Sequence, residues 1–155
     1  MKKYENATDA AVSYVSRRDR TEQEVRNKLA EYGFSSDDTD EAITALRDSL
    51  LLNDEEFARE LVRTKLAVPH SLRTLRMKLR ERLVSEDIID SVLGDLDTDY
   101  ENAYEESFSF LHNAMRSDAD PQKLRQKLYR RLISHGYSYD TARSAIDAAE
   151  AALTE

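Results

Sequence analysis

The side chains placed most suggestively for chemistry are cationic. Between Ser71 and Arg82 stand Arg73, Arg76, Lys78, Arg80 and Arg82 against Glu81 alone, and between Pro121 and His135 stand Lys123, Arg125, Lys127, Arg130 and Arg131 with no acid. Guanidinium and ammonium groups at this density meet phosphates or the carboxylates of a partner protein. Arg17, Arg18 and Arg20 make a lesser patch. The bland alternative is solvation, since a helix needs a polar face and Lys or Arg near its end complements its dipole. A run without a single acid goes beyond that need.

Covalent and metal chemistry find little support. His70, His112 and His135 lie far apart, none in an H-E-x-x-H or comparable spacing, and the chain has no Cys, so no metal site is expected and a reducing compartment fits. No G-x-S-x-G, Walker or dinucleotide fingerprint is present. The 31 carboxylates mark out no acid and base pair from their solvated neighbours. We therefore expect no catalytic residues and no cofactor. Tyr14 and Tyr32 sit on apolar stripes, where packing is the simpler role, and Tyr129, beside Arg130 and Arg131, is the one base-stacking candidate.

Composition narrows the class further. The chain has 155 residues, 40% hydrophobic and 35% charged, with three Gly, two Pro and no Trp, which leaves little material for strand turns. The formal charge of -8 disfavours general affinity for nucleic acid. Acids cluster at Glu86, Asp87, Asp90, Asp95, Asp97, Asp99, Glu101, Glu105 and Glu106 without an intervening Lys or Arg. The longest aliphatic run is Leu50 to Leu52, so neither a secretion signal nor a membrane span is expected, and a cytoplasmic location follows.

The elements carrying these charges are helices. Ala7, Ala10, Ala11, Tyr14 and Val15 form one apolar stripe. Thr21 and Glu24 form a capping box before Val25, Leu29 and Tyr32, and Gly33 ends that helix. A third helix from about Ser36 carries Thr39, Ala42, Ile43, Leu46 and Leu50 inward. Asn53 and Glu56 open a fourth with Phe57, Leu61, Val62 and Leu66, stopped by Pro69.

The pattern then repeats. A shift of fifty residues lays Thr21 on Ser71, Val25 on Leu75, Lys28 on Lys78, Leu29 on Leu79, Asp37 on Asp87 and Leu46 on Leu96. A third copy starts near Asp99 with Ala103, Ser107, Leu111 and Ala114; Asp120 and Pro121 open its second helix, which runs through Leu124, Leu128 and Leu132 to Gly136. A shift of 103 lays Gly33 on Gly136, Phe34 on Tyr137, Ser35 on Ser138 and Ile43 on Ile146. We expect an all-α fold of three tandem three-helix repeats, residues 1-51, 52-98 and 99-155, forming an elongated, curved body.

These residues resemble a family. RRDRTEQEVRNKLAEYGF, Arg17 to Phe34, is similar to the opening motif of the RecX proteins, bacterial modulators of the RecA recombinase: an R-x-R-S/T-x-x-E-L-x-x-K-L run ending in Gly and an aromatic. LNDEEFARELVRTKL, Leu52 to Leu66, resembles the family's L-D-D-x-x-F-A-R-x-x-V-R segment. PHSLRTLRMKLRERLVSEDIIDSVL resembles its second-repeat stretch, and HGYSYDTARSAI, His135 to Ile146, its R-G-F-S-Y-D-x-I motif. Departures occur at Leu50 and Leu51, where the family has Gly and an aromatic, at Ala67 to Pro69 in place of K-G-P, at Arg82 to Val84 in place of K-G-I, and at Glu56 in place of Arg. A side chain where glycine usually stands makes a left-handed turn costlier, so a reshaped hinge between helices five and six is expected.

The resemblance implies a non-enzymatic protein that lies along the groove of the RecA filament on single-stranded DNA, bridges neighbouring subunits and restrains ATP hydrolysis, recombination and coprotease activity. The contact candidates, taken from charge placement, are Arg73, Arg76, Arg80, Arg125, Lys127, Arg130 and Arg131, with Arg17, Arg18 and Arg20 behind them. A monomer with weak direct contact to single- or double-stranded DNA is expected, and no membrane partner. The rival reading is a stand-alone DNA-binding module of helix-turn-helix type.

Overall fold

Side-chain oxygens start the helices at the polar positions of the pattern. In the computed structural model, which describes residues 4-65, 70-94 and 96-155, Asn6 accepts from the Asp9 amide at 2.8 Å and Asn53 from the Glu56 amide at 3.0 Å. Thr21 and Glu24 make the reciprocal capping box. Ser35, Ser85 and Ser138 each accept from the amide three residues on, and Asp120 precedes a proline at the first helical position. These caps satisfy amides that have no partner within their own helix.

Among the described residues the chain forms nine helices and no strand. They are α1 (Ala7–Arg17), α2 (Glu22–Glu31), α3 (Ser36–Asp48), α4 (Asp54–Lys65), α5 (Leu72–Glu81), α6 (Glu86–Leu93), α7 (Asp99–Ala114), α8 (Pro121–Ser134) and α9 (Tyr139–Thr154). The expected roles of Leu66 and Pro69 fall outside the described residues, as does Asp95.

Four helices end in one and the same motif. The amides of Gly33 and Phe34 reach back to the carbonyls of Ala30 and Leu29, those of Leu50 and Leu51 to Arg47 and Leu46, those of Leu83 and Val84 to Arg80 and Leu79, and those of Gly136 and Tyr137 to Ile133 and Leu132. This is the Schellman pattern, which needs a left-handed residue at its turn. Gly33 and Gly136 take φ of 89° and 94°, and Leu50 and Leu83 take 60° and 61°.

Two expectations are thereby corrected. Leu50 does not point inward: α3 stops at Asp48, Leu50 turns left-handed with 81% of its surface exposed, and Leu52 enters the core instead. The hinge between α5 and α6 is not reshaped either. Leu83 is held in the conformation glycine would take by the two amide bonds and by Val84, which is buried behind it. A third expectation lapses at the end of α6, which stops at Leu93, so Leu96 lies past the helix and is half-buried where its counterpart Leu46 is buried.

The rest of the expected core is in place. Ala7, Ala10, Ala11, Val25, Leu29, Ala42, Ile43, Leu46 and Leu52 form one cluster, with Tyr14, Val15 and Tyr32 packed against it. Ala103, Leu128, Leu132, Tyr137, Ala142, Ala145 and Ile146 form another. In the middle of the chain Ala58, Val62, Leu75, Leu79, Ile89 and Val92 are buried.

The chain divides into two compact units, Met1–Leu61 with Lys78–Gly94, and Val62–Met77 with Asp95–Glu155, so the division falls inside α4 and α5. Each unit contains the same stitch. In the first, the Thr21 hydroxyl donates to the Arg82 carbonyl at 2.7 Å, and the Glu22 amide donates to Asp54 Oδ1 at 2.9 Å. In the second, the Ser71 hydroxyl donates to the His135 carbonyl at 2.8 Å, and the Leu72 amide donates to Asp99 Oδ1 at 2.8 Å. Burial pushes the Asp54 and Asp99 carboxyls up from their ordinary range, against the pull of these amides.

Candidate functional site

Helix α8 presents a charged face because its apolar side chains, Leu124, Leu128, Tyr129, Leu132 and Ile133, turn toward the core; Leu128 and Leu132 are buried and the other three half-buried. The cations between them point to three surroundings. Arg125 is tied to α9, its Nη2 2.7 Å from Asp147 Oδ1 and its Nη1 on Glu150. Arg131 turns to α7, its Nε donating to Glu106 Oε1 at 2.9 Å while its guanidinium lies 5.9 Å from the Phe110 ring. Lys127 and Arg130 are exposed and have no ion pair among the described residues, as is true of Lys123.

Glu106 organises the far end of this face. Its side chain is 8% exposed, and Oε1 also lies 2.7 Å from His135 Nδ1. Together with Lys127 and Arg131, His135 lines a cleft of about 650 Å³, into which Phe110 and Leu124 bring apolar surface. Lys127, Arg131 and His135 recur at intervals of four, which puts them on one face of α8 and its cap. Glu105 and Glu106 line the cleft too, the latter paired with Arg131, so its charge is mixed and Lys127 is the cation it offers to a partner.

The other candidates divide by unit. In the second unit Arg73 is exposed and Arg76 half-buried on α5. In the first, Arg80 pairs with Glu86 at 2.5 Å. Arg82, left out of the candidate set, holds Glu24 at 3.0 Å, donates to the Asp19 carbonyl at 3.0 Å and covers the Phe57 ring at 4.7 Å. Its role is internal. Burial pushes the Glu24 carboxyl up, but hydrogen bonds from Arg82 and from the Thr21 amide outweigh it and hold that group below its ordinary range.

Arg17 and Arg18 are exposed at the end of α1. Arg20 is half-buried with its guanidinium 4.2 Å from the Tyr14 ring centroid, so it packs as much as it displays charge. Tyr129 is also part of the packing, half-buried against the α7–α9 core and stacked on Tyr139 at 6.0 Å. Among the described residues no group of three or more His, Asp or Glu is placed to hold a metal, and no helix is long and apolar enough to cross a membrane.

Reading along α8 alone missed Glu106, Asp147 and Glu150. The acid-free run is real within the helix, yet α7 and α9 bring carboxylates to two of its arginines from 22 and 25 residues away in sequence. Only the i,i+4 arrangement of Lys127, Arg131 and His135 was visible locally.

Comparison with known proteins follows the same lines. The models of the first and second three-helix domains of RecX match residues 7–46 and 53–93. The regulatory protein RecX of Clostridium perfringens (strain 13 / Type A) is 35% identical over 140 residues, which cover 89% of this chain and 66% of that protein. The regulatory protein RecX of Prosthecochloris aestuarii is 31% identical over 144 residues, 91% of each chain. The chain thus spans just under two thirds of the length of its clostridial relatives, and nearly all of the other. The crystal structure of RecX from Lactobacillus salivarius superimposes with a TM-score of 0.77 over 93% of this chain and 94% of that one, at 23% identity, which speaks for the fold.

Proposed function

Because the chain belongs to the RecX family, we propose that it is a non-enzymatic regulator of the RecA recombinase, binding the filament on single-stranded DNA across neighbouring subunits and restraining its ATPase, recombinase and coprotease activities. The observation that carries this reading is the α8 face, where Lys127 and Arg130 have no ion pair among the described residues and stand beside a cleft lined by Phe110, Leu124 and Arg131. Arg73 and Arg76 add to it from α5, with Arg80, Arg125, Arg17, Arg18 and Arg20 in lesser roles.

The mechanism needs no bond making. We take residues 1-51, 52-98 and 99-155 as three repeats, each offering a modest contact to a polymer of identical subunits. Contacts that are weak singly reinforce one another when they engage together. A ligand that binds one subunit arrangement better than another shifts the filament toward it by that difference in affinity alone. We assign the protein to the cytoplasm as a monomer, with direct DNA contact a minor term because the net charge of -8 opposes it.

The test is titration of the purified protein into RecA, single-stranded DNA and ATP while phosphate release is followed. The expected result is inhibition at amounts of protein comparable to or below those of RecA. Unchanged hydrolysis, together with duplex binding that needs no RecA and falls steeply with salt, would replace this reading by the DNA-binding module.

A further inference from the structure

Aromatic rings in this protein are repeatedly covered by a guanidinium that a carboxylate also holds. Arg82 lies over the Phe57 ring at 4.7 Å while bonding Glu24 at 3.0 Å. Arg131 lies 5.9 Å from the Phe110 ring while bonding Glu106 at 2.9 Å. A planar cation set between a ring face and a carboxylate satisfies both, and the two pairs belong to different units of the chain.

Along α7 the rings and the carboxylates recur without the cation. The Tyr104 and Phe108 rings lie 6.1 Å apart, and Phe108 stacks on His112 at 5.9 Å with the planes within 7°. Tyr100, 45% exposed, stands one turn before them on the same face. Glu101 and Glu105 each precede a ring, Tyr104 and Phe108, by three residues, so carboxylate and ring are neighbours on the helix surface. Both acids are exposed and, like Asp97, have no ion pair among the described residues, and no cation lies over Tyr100, Tyr104 or Phe108 there.

The charge around this ladder is one-sided. The sequence has no Lys or Arg between Arg82 and Arg116, the latter just past the end of α7. Of the cations on α8, Arg125 is held by Asp147 and Glu150, and Arg131 by Glu106. Lys127 shares a cleft with Glu105, but not with Glu101 or Asp97.

We propose that the outer face of α7 docks an arginine-bearing segment of another protein, its guanidinium lying on the Tyr104 and Phe108 rings and bonding Glu101 or Glu105, as Arg82 does between Phe57 and Glu24. Arginine suits the site better than lysine, because its planar group stacks on a ring and presents a fork to a carboxylate at the same time. This goes beyond RecA regulation through α8 and does not rest on it.

The test uses the full chain and two peptides of equal length and charge, one of alternating arginine and glycine, the other with lysine in place of arginine, read by calorimetric titration. The arginine peptide binds more tightly than the lysine peptide. Phe108→Leu, which keeps an apolar side chain but removes the ring face, weakens the arginine peptide by about two- to five-fold. Glu101→Gln with Glu105→Gln weakens it several-fold, whereas Asp38→Asn with Glu41→Gln, which removes the same charge from exposed positions of α3, leaves it unchanged. Circular dichroism checks that the variants are folded, and the preference for arginine is read on the wild type whatever Phe108→Leu does to stability. Equal affinity of the two peptides for the wild type, an equal loss in the α3 and α7 charge variants, or sedimentation showing a dimer that Phe108→Leu abolishes would each overturn the proposal, the last by making a second copy of the chain the occupant.

Discussion

The hydroxyl of Thr21 donates to the main-chain carbonyl of Arg82, 61 residues away, at 2.7 Å. It lies at the start of α2 and at the end of α5, so one fully buried side chain caps its own helix and satisfies a carbonyl that the next repeat's helix leaves unpaired. Ser71 does the same between α5 and α8, donating to the His135 carbonyl at 2.8 Å. The fifty-residue sequence period is thus also a period of hydrogen bonds between successive repeats.

The two stitches should differ in tolerance. Thr74 also donates to the His135 carbonyl, at 2.7 Å, so Ser71→Ala leaves that oxygen one partner. No second side chain is seen on the Arg82 carbonyl among the described residues. Thr21→Ala should cost about 2–3 kcal/mol, a lost cap plus an unsatisfied buried acceptor, and Ser71→Ala about 1 kcal/mol. Urea denaturation measures both, and equal losses would show that Thr74 gives no support.

The left-handed stops give a second contrast. A methyl at Gly136 would press into the Ser71 hydroxyl and come within 2.8 Å of Thr74 Oγ1, whereas at Gly33 nothing lies within 4 Å. Gly33→Ala should therefore cost only the backbone term, about 1–2 kcal/mol, and Gly136→Ala clearly more, because it also displaces the stitch. Leu83→Gly should go the other way and stabilise by about 1 kcal/mol, since its side chain is 43% exposed. Thermal unfolding of the three variants checks the order.

Acid should separate two kinds of buried carboxyl. Glu24 has its folded pKa held below the ordinary 4.5 by Arg82 and Thr21 against the push of burial, so its contribution is complete above the unfolded value and is lost as pH falls through the folded one. Glu24→Gln should lose about 1 kcal/mol at pH 7, allowing for the partial exposure of the pair, and nothing at low pH. Asp54 and Asp99 are raised from 3.8, chiefly by burial, so the stabilisation linked to their proton is full below the unfolded value and lost as pH rises through the folded one. Asp54→Asn and Asp99→Asn, each keeping an oxygen for the amides of Glu22 and Leu72, should make stability rise more steeply with pH across that window. Denaturation midpoints from pH 3 to pH 7 would show it, and an unchanged slope would contradict the burial argument.

Local signals carried most of the fold. Thr21 with Glu24, Asn53, and Asp120 with Pro121 start helices by bonds within four residues, which is why their positions could be read directly. Gly33 and Gly136 were legible as stops because glycine is the cheap left-handed residue. Leu50 and Leu83 were not, since leucine at such a turn is decided by the amide bonds to Leu46 and Arg47, or to Leu79 and Arg80, rather than by its own preference. The candidate surface was legible as charge density only. Which arginines stand uncompensated depends on Glu106, Asp147 and Glu150, brought to α8 by packing of α7 and α9.

That division yields a test within one helix. Arg131 is held by Glu106, whose side chain is 8% exposed, so Arg131→Glu would place two carboxylates together with only His135 between them. It should unfold the protein more readily, by about 2–3 kcal/mol, and any loss of RecA inhibition would then mix folding with contact. Among the described residues Lys127 and Arg130 carry no such partner, so Lys127→Glu with Arg130→Glu should leave the denaturation midpoint nearly unchanged, surface charges being worth little to stability. If these two cations meet the filament, the double variant should lose inhibition of RecA ATP hydrolysis, and wild-type inhibition should weaken as salt rises. Full inhibition by the folded double variant would move the contact off the exposed face of α8, to Arg73 and Arg76 on α5.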